Sequence, residues 1–158
     1  PYSLAGESAW DRPMLWGSKR TGPDLARVGG KYSDAWHVAH LVDPRQVIPV
    51  SIMPAYPWLM RPLGTELIER NLATLAGLGV PYDQDMIDNA LADARAQSQP
   101  DSDTTSDLIA RYGDDIAVRA FDGNPRQLTE MDAVVAYLQS IGTLTDAAKA
   151  ILSQEDGS

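Results

Sequence analysis

The sequence predicts an all-α fold, and two observations support that prediction. Apolar residues recur at helical spacing in several segments, and no segment of useful length alternates apolar and polar residues as a β-strand would. The chain has 158 residues, of which 44% are hydrophobic and 22% are charged. These values are ordinary for a globular protein, and the length is sufficient for one domain with a core.

Charge and composition argue against several classes of protein. The net charge is −9 and the pI is about 4.5. This balance argues against a nucleic-acid partner, which needs basic patches, and would suit a basic protein partner. No apolar run approaches the roughly 20 residues that span a bilayer. The chain has 0 Cys and no nucleophile motif, so we expect neither a disulfide scaffold nor a hydrolytic site.

The chain begins with a segment that lacks helical periodicity. Residues 1–13 contain Gly, Pro and Ser punctuation, which predicts a loop or short turn that covers the core as a flap. A basic cluster follows in this acidic chain, at Lys19, Arg20 and Arg27. It is either a solvated surface or a site that neutralises an anionic group. The glycine pair at 29–30 predicts a turn.

The first predicted helix carries both histidines of the chain. It begins after Ser33, a good N-cap, and extends to about Val42, where Pro44 stops it. His37 and His40 lie three residues apart on one side of it. Two imidazoles alone form an incomplete metal site, so the alternative is that each histidine is hydrogen-bonded within the fold.

A stiff, irregular loop is predicted at residues 48–59, which contain three prolines. Each proline removes a backbone donor and fixes φ, so the segment can be neither an ordinary helix nor a central strand. The loop presents Met53 in a set direction, flanked by Ile52, Tyr56 and Trp58, which can exclude water. A thioether is a good ligand for haem iron or copper(I) and a poor one for hard cations. The alternative is that Met53 fills a gap in an irregular core.

The middle of the chain is predicted to be mainly helical. The boundaries follow from caps, apolar stripes and Gly or Pro stops. The predicted segments are a helix from Thr65–Glu66 to Gly77, a helix from Asp83 to Gln97, a polar stretch at 92–106 interpreted as a solvated loop, a helix from Ser106 to Tyr112, a short helix from Asp114 to Phe121 and a turn at 122–125. Acidic clusters here are interpreted as solvated faces. Calcium is the alternative, although none has the spacing of a known loop.

The last long helix has a cap that the sequence shows directly. Thr129 and Asp132 form a variant of the capping box. Apolar residues then recur at helical spacing until Gly142 ends the helix. Thr145 caps a final short helix that is predicted to extend to about Ser153, followed by a frayed tail.

Several ordered motifs resemble one known family. They are residues 16–32 with Thr21-Gly22-Pro23-Asp24-Leu25 inside, residues 33–40, Asp43-Pro44-Arg45, residues 53–58 and residues 129–139. Together they resemble the mono-haem cytochrome c subunit (subunit II) of cbb-type haem–copper oxidases. The resemblance extends from Tyr2 to about Leu144.

This resemblance implies a class I cytochrome c-like fold. The chain would be one such domain over residues 1–158, with an α-helical insertion at residues 64–125. In the family a haem c lies between a Gly-Pro-x-Leu segment and a methionine loop. The resemblance therefore implies that Met53 is the distal ligand of the haem iron. The other residues implied to line the haem are Gly22, Pro23 and Leu25 on the proximal face, Lys31 near a propionate, and Tyr56 and Trp58 as shielding groups.

One departure from the family pattern is large. The family bonds its haem through Cys-x-x-Cys-His, and these residues contain 0 Cys. We expect the chain to be a fragment that starts just after the attachment motif and after the family's N-terminal membrane anchor. The alternative is a homologue that has lost the haem. The family's proximal histidine comes from that motif, so neither His37 nor His40 is assigned as a ligand.

The resemblance also implies a function. The chain would be an electron-transfer subunit at the periplasmic face of the bacterial inner membrane, doing no bond chemistry itself. It would take electrons from a small c-type cytochrome and pass them to the catalytic haem–copper subunit, alongside other cytochrome c subunits. One alternative is a haem-free docking subunit of the oxidase. Another is a small metal-binding protein that uses His37, His40 and Met53, with copper as the candidate metal.

Overall fold

The computed structural model describes residues 25, 28–100 and 103–141. Within these residues the secondary structure is helical, with no β-strand and one isolated bridge between Pro62 and Thr129. The predicted all-α class is confirmed for this part of the chain. No helix among the described residues is long and apolar enough to cross a membrane.

The helices are mostly short. They are α1 (Asp34–Val42), α2 (Pro44–Val47), a 3₁₀ helix (Pro57–Met60), α3 (Ile68–Gly77), α4 (Gln84–Asp88), α5 (Ala90–Ser98), α6 (Thr105–Tyr112) and α7 (Glu130–Ser140). The predicted flap, the basic cluster and the last short helix fall at residues 1–24, 26–27 and 142–158, outside the described residues.

The chain divides into two compact units, and the larger one is Asp34–Ala136. Its core is built on α7, where Met131 and Val135 have no exposed surface and contact Phe121. The partly buried side chains that surround this cluster are Val38, Leu41, Val42, Leu59, Ala117 and Ala136. Apolar residues of α1 and the 3₁₀ helix thus share one core with α7.

The smaller unit comprises Pro1–Ser33 and Tyr137–Ser158. Its described part is a turn held to the end of α7. The amide of Gly30 donates to the side-chain oxygen of Gln139 at 2.9 Å, and the Gln139 side chain donates to the carbonyl of Tyr32 at 2.9 Å. Gly30 has a φ of 70°, which glycine adopts without steric cost. The turn predicted from the glycine pair is confirmed.

The start of α7 is a buried polar network. Thr129 and Asp132 exchange the two hydrogen bonds of the predicted capping box, from the Thr129 amide at 3.0 Å and from the Asp132 amide at 3.1 Å. Asp132 also accepts from the amide of Asp122 at 3.0 Å. Asp122 in turn accepts from the amide of Asn124 at 2.7 Å, which forms the predicted turn.

The predicted helix from Asp83 to Gln97 is two helices, α4 and α5. The break is at Asn89, whose side-chain amide donates to the carbonyl and carboxylate oxygens of Asp85 at 2.9 and 3.0 Å. Such side-chain bonds to the local backbone compete with helix continuation. The solvated loop predicted at 92–106 is also wrong over its first half, because α5 reaches Ser98 and buries Asp93 and Ala96.

Two other predictions differ from the structure. The helix expected at 114–121 is absent, because Arg119 donates its amide to the carbonyl of Gln97 at 2.9 Å instead of forming a local helical bond. Pro44 ends α1 as predicted, but it also begins α2 at a position where its missing donor costs nothing.

Candidate functional site

The methionine loop follows α2 directly and is bonded to α1 after Met53. Before it, Asp43 caps α2 by accepting from the amide of Arg45 at 3.2 Å. After Met53, the amide of Tyr56 donates to the carbonyl of Leu41 in α1 at 2.7 Å. Because Leu41 also packs against the core, this bond ties the loop to a fixed part of the larger unit.

Met53 has a defined backbone position within this loop. Its amide donates to the hydroxyl of Ser51 at 3.2 Å, a local side-chain turn that sets the backbone just before the methionine. Met53 is half-buried, whereas Ile52 beside it is 93% exposed. The prediction of a stiff loop that fixes one methionine agrees with this geometry, but the expectation that Ile52 shields the thioether is wrong, because its side chain points away into solvent.

Tyr56 and Trp58 form an aromatic pair after the methionine. Their ring centroids are 5.3 Å apart with an interplanar angle of 71°, an edge-to-face arrangement that aromatic rings favour. Tyr56 is half-buried and Trp58 is 50% exposed. The pair stiffens the exit from the loop and supplies apolar surface there.

The two histidines of α1 are organised by Trp36. The Trp36 ring stacks on His40 with centroids 4.6 Å apart and meets His37 edge-on at 5.4 Å. His37 is buried, and desolvation lowers its pKa; the charge of Asp34 opposes this shift and that of His40 adds to it. Burial therefore favours the neutral imidazole of His37.

The histidine pair does not form a multidentate metal site with other ionisable ligands. Across residues 25, 28–100 and 103–141, no group of three His, Cys, Asp or Glu side chains could hold a metal ion. Nδ1 of His40 is buried and has no hydrogen-bond partner within those residues. Both histidine rings pack against the ring of Trp36 on α1.

The residues predicted for the opposite side of the cofactor are only partly described. Gly22 and Pro23 lie outside the described residues. Leu25 is 52% exposed, and the Lys31 ammonium lies 5.4 Å from the centroid of the Tyr32 ring. Their predicted roles toward a haem stay predictions.

The Met53 thioether is a donor that would suit a haem iron. A half-buried thioether on a proline-stiffened loop that is bonded to α1 is a soft ligand that suits haem iron. The aromatic pair beside it supplies the apolar surroundings that such a group needs. The 158 residues contain 0 Cys, so they provide no thiol for covalent attachment.

Sequence reasoning missed three features of this site. They are the Ser51 bond to the Met53 amide, the long-range bond from Tyr56 to Leu41, and the stacking of Trp36 on His40. The first had a signal in the sequence, because a serine two residues before a fixed position favours a local turn. The bond between Tyr56 and Leu41 depends on tertiary packing.

Comparison with known families identifies the family to which the chain belongs. The chain matches the family described as "Cytochrome C oxidase, mono-heme subunit/FixO" over residues 1–145. A comparison with curated proteins finds no match. The matched range includes α1, the methionine loop and α7, and it covers most of the chain. The chain belongs to the FixO family of mono-haem cytochrome c oxidase subunits, which are components of cbb-type oxidases.

Proposed function

We propose that this chain is the electron-transfer subunit of a cbb-type oxidase and that Met53 is the distal ligand of its haem c. Electrons would arrive from a small c-type cytochrome and leave toward the catalytic haem–copper subunit. The observation that carries the proposal is the half-buried methionine on an anchored loop, in a chain of this family. The haem domain would lie at the periplasmic face of the membrane.

When bound, the haem supplies one-electron oxidation and reduction of its iron. Met53 would donate its thioether, which favours the ferrous state and so raises the reduction potential. The bonds from Met53 to Ser51 and from Tyr56 to Leu41 would hold that ligand in place in both redox states. The pair of Tyr56 and Trp58 would exclude water beside it.

The remaining parts of the site follow from the family resemblance. Gly22, Pro23 and Leu25 would lie against the proximal face, and Lys31 would pair with a propionate as a point charge. In the family a Cys-x-x-Cys-His motif attaches the haem, and these 158 residues contain 0 Cys. Residues 64–125 would form an insertion that decorates a single cytochrome c-like domain.

The test is to replace Met53 by Leu in the assembled oxidase, with Met60→Leu as the matched control. Met60 lies in the 3₁₀ helix and is 42% exposed, so its loss should leave the haem spectrum unchanged. Met53→Leu should abolish the weak thioether-to-iron band of the oxidised protein and lower the reduction potential. An unchanged spectrum in Met53→Leu contradicts the assignment.

A second function is favoured by one observation, the 0 Cys of the sequence. A haem-free subunit could dock other parts of the oxidase without redox chemistry. An optical spectrum of the intact subunit separates the two functions. A sharp reduced α-band of low-spin haem c supports electron transfer, and absence of haem absorbance supports the docking subunit.

A further inference from the structure

The loop that carries Met53 also presents apolar side chains to solvent. Val50 is 87% exposed and Ile52 is 93% exposed, while Ile48 is 42% exposed. We call these three residues the apolar loop face. Val50 and Ile52 are more exposed than any other large hydrophobic side chain of the described residues. Folding normally buries such side chains, so this exposure indicates a surface that another molecule covers.

The segment around the apolar loop face carries no charge. Residues 48–60 contain no Asp, Glu, Lys or Arg, although charged residues make up 22% of the chain. Arg61 follows directly after the segment. Depletion of charge together with exposed aliphatic side chains is the pattern of the centre of a stable protein interface.

The apolar loop face is also held in a defined shape. Its first turn is closed by the amide of Ser51, which donates to the carbonyl of Ile48 at 2.9 Å. Pro49 and Pro54 restrict the backbone on either side. A surface that is ordered before binding loses little conformational freedom when a partner covers it, which favours tight association.

We propose that Ile48, Val50 and Ile52 dock against an uncharged, apolar face of another subunit of the oxidase. The family shows that the chain belongs to an assembly, and permanent subunit interfaces are more apolar than transient ones. A mobile donor cytochrome would instead be steered by charge, which the acidic remainder of the chain offers. Loops that enter a lipid surface usually add Lys or Arg for anionic headgroups, and residues 48–60 have none.

The consequence for electron transfer rests on the proposed function of Met53. Ile52 and Met53 are adjacent, and consecutive Cα atoms are about 3.8 Å apart. A subunit seated on Ile52 would therefore lie close to the iron ligand. The same loop would then hold the haem on one side and the electron-exchange partner on the other.

The first experiment places a photoreactive benzoylphenylalanine at position 52 of the chain within the assembled oxidase. Leu78, which is 51% exposed at the end of α3, is the matched control position. Irradiation should give a covalent product with another oxidase subunit from position 52 and none from position 78. A product with lipid or detergent only, with a second copy of this chain only, or no product overturns the proposal.

The second experiment measures how much of the chain is recovered with the catalytic subunit on purification. Ile52→Lys should lower that recovery at least tenfold, because the interface would bury an unpaired charge. Ile52→Leu and Leu78→Lys should keep it within twofold. Equal recovery of Ile52→Lys and Leu78→Lys overturns the proposal. Recovery is measured on the polypeptide and not on the haem spectrum, so an unchanged spectrum in Met53→Leu would leave this result interpretable.

Discussion

Arg119 and Asp34 form a bidentate ion pair, although they are 85 positions apart in the sequence. Nη2 of Arg119 donates to Oδ1 of Asp34 at 3.1 Å, and Nε of Arg119 donates to Oδ2. The guanidinium also lies 4.6 Å from the centroid of the Phe121 ring. The hydrogen bond to Asp34 raises the pKa of Arg119. The pair therefore fastens the segment after α6 to the first turn of α1.

Replacing Arg119 by Ala should lower the free energy of unfolding by about 1–2 kcal/mol. Charged hydrogen bonds are stronger than neutral ones, but Arg119 is partly exposed and solvent screens the pair. Urea unfolding of the subunit measures the change. Arg70→Ala, an exposed arginine of α3, is the control and should change stability by less than about 0.5 kcal/mol. Equal losses in the two variants would contradict the role of the pair.

The hydroxyl of Thr129 should be required at the start of α7. Its oxygen lies 2.9 Å from a carboxylate oxygen of Asp122 and 3.0 Å from one of Asp132, and these two acceptors share its single proton. It also accepts from the Asp132 amide, and Thr129 is 1% exposed. Thr129→Val keeps the shape and removes these bonds, which should cost about 1–3 kcal/mol. Thr129→Ser keeps the hydroxyl and should lose clearly less. Thermal unfolding compares the two, and equal destabilisation would rule out the hydrogen bonds as the cause.

Asp93 in α5 and Arg111 in α6 form a largely buried ion pair. Nε of Arg111 donates to Oδ2 of Asp93 at 2.9 Å. The side chain of Arg111 is 17% exposed and that of Asp93 is 5% exposed. The hydrogen bond to Asp93 raises the pKa of Arg111. Next to it, burial raises the pKa of Tyr112 to about 12.

Removing one partner of that pair should be worse than removing both. Arg111→Met leaves a buried, unpaired carboxylate and should cost about 3–5 kcal/mol. Adding Asp93→Leu to Arg111→Met should recover a large part of the loss, because no charge is then left unpaired. Chemical denaturation of the single and double variants measures the coupling. A double variant that is less stable than Arg111→Met would contradict this account.

His37 should make stability depend on pH below about 6.5, the ordinary pKa of an imidazole. Its pKa in the folded state is lowered from 6.5 by burial, so the unfolded chain binds a proton that the folded chain excludes. The stabilisation is therefore complete above 6.5 and is lost as the pH falls below it. One such group contributes a slope of at most about 1.4 kcal/mol per pH unit.

Denaturation of the wild type and His37→Gln at several pH values tests this prediction. The variant should show a smaller loss of stability on acidification, because the neutral amide does not titrate. Above pH 5.5 ordinary carboxylates stay ionised, so their protonation does not hide the effect. The same slope in both proteins would show that His37 is not the responsible group.

Local sequence signals determined several elements correctly. Ser33 and Pro44 bracket α1, Thr129 and Asp132 begin α7, and Pro49 and Pro54 prevent regular structure around Met53, whereas Pro57 begins the 3₁₀ helix. These features depend on residues within a few positions of one another, so caps, periodicity and proline stereochemistry suffice to predict them. The family itself could be predicted from ordered motifs, and the match over residues 1–145 confirms it.

Tertiary structure decided the features that depend on distant partners. Asp93 belongs to an acidic cluster that the sequence presents as solvated, yet Arg111, 18 positions later, buries it. Residues 114–121 are not a helix because Gln97 and Asp34 hold Arg119. The exposure of Ile52 next to a half-buried Met53 likewise depends on how the loop packs. A sequence pattern fixes local backbone preferences, whereas burial and pairing depend on which distant groups the fold brings together.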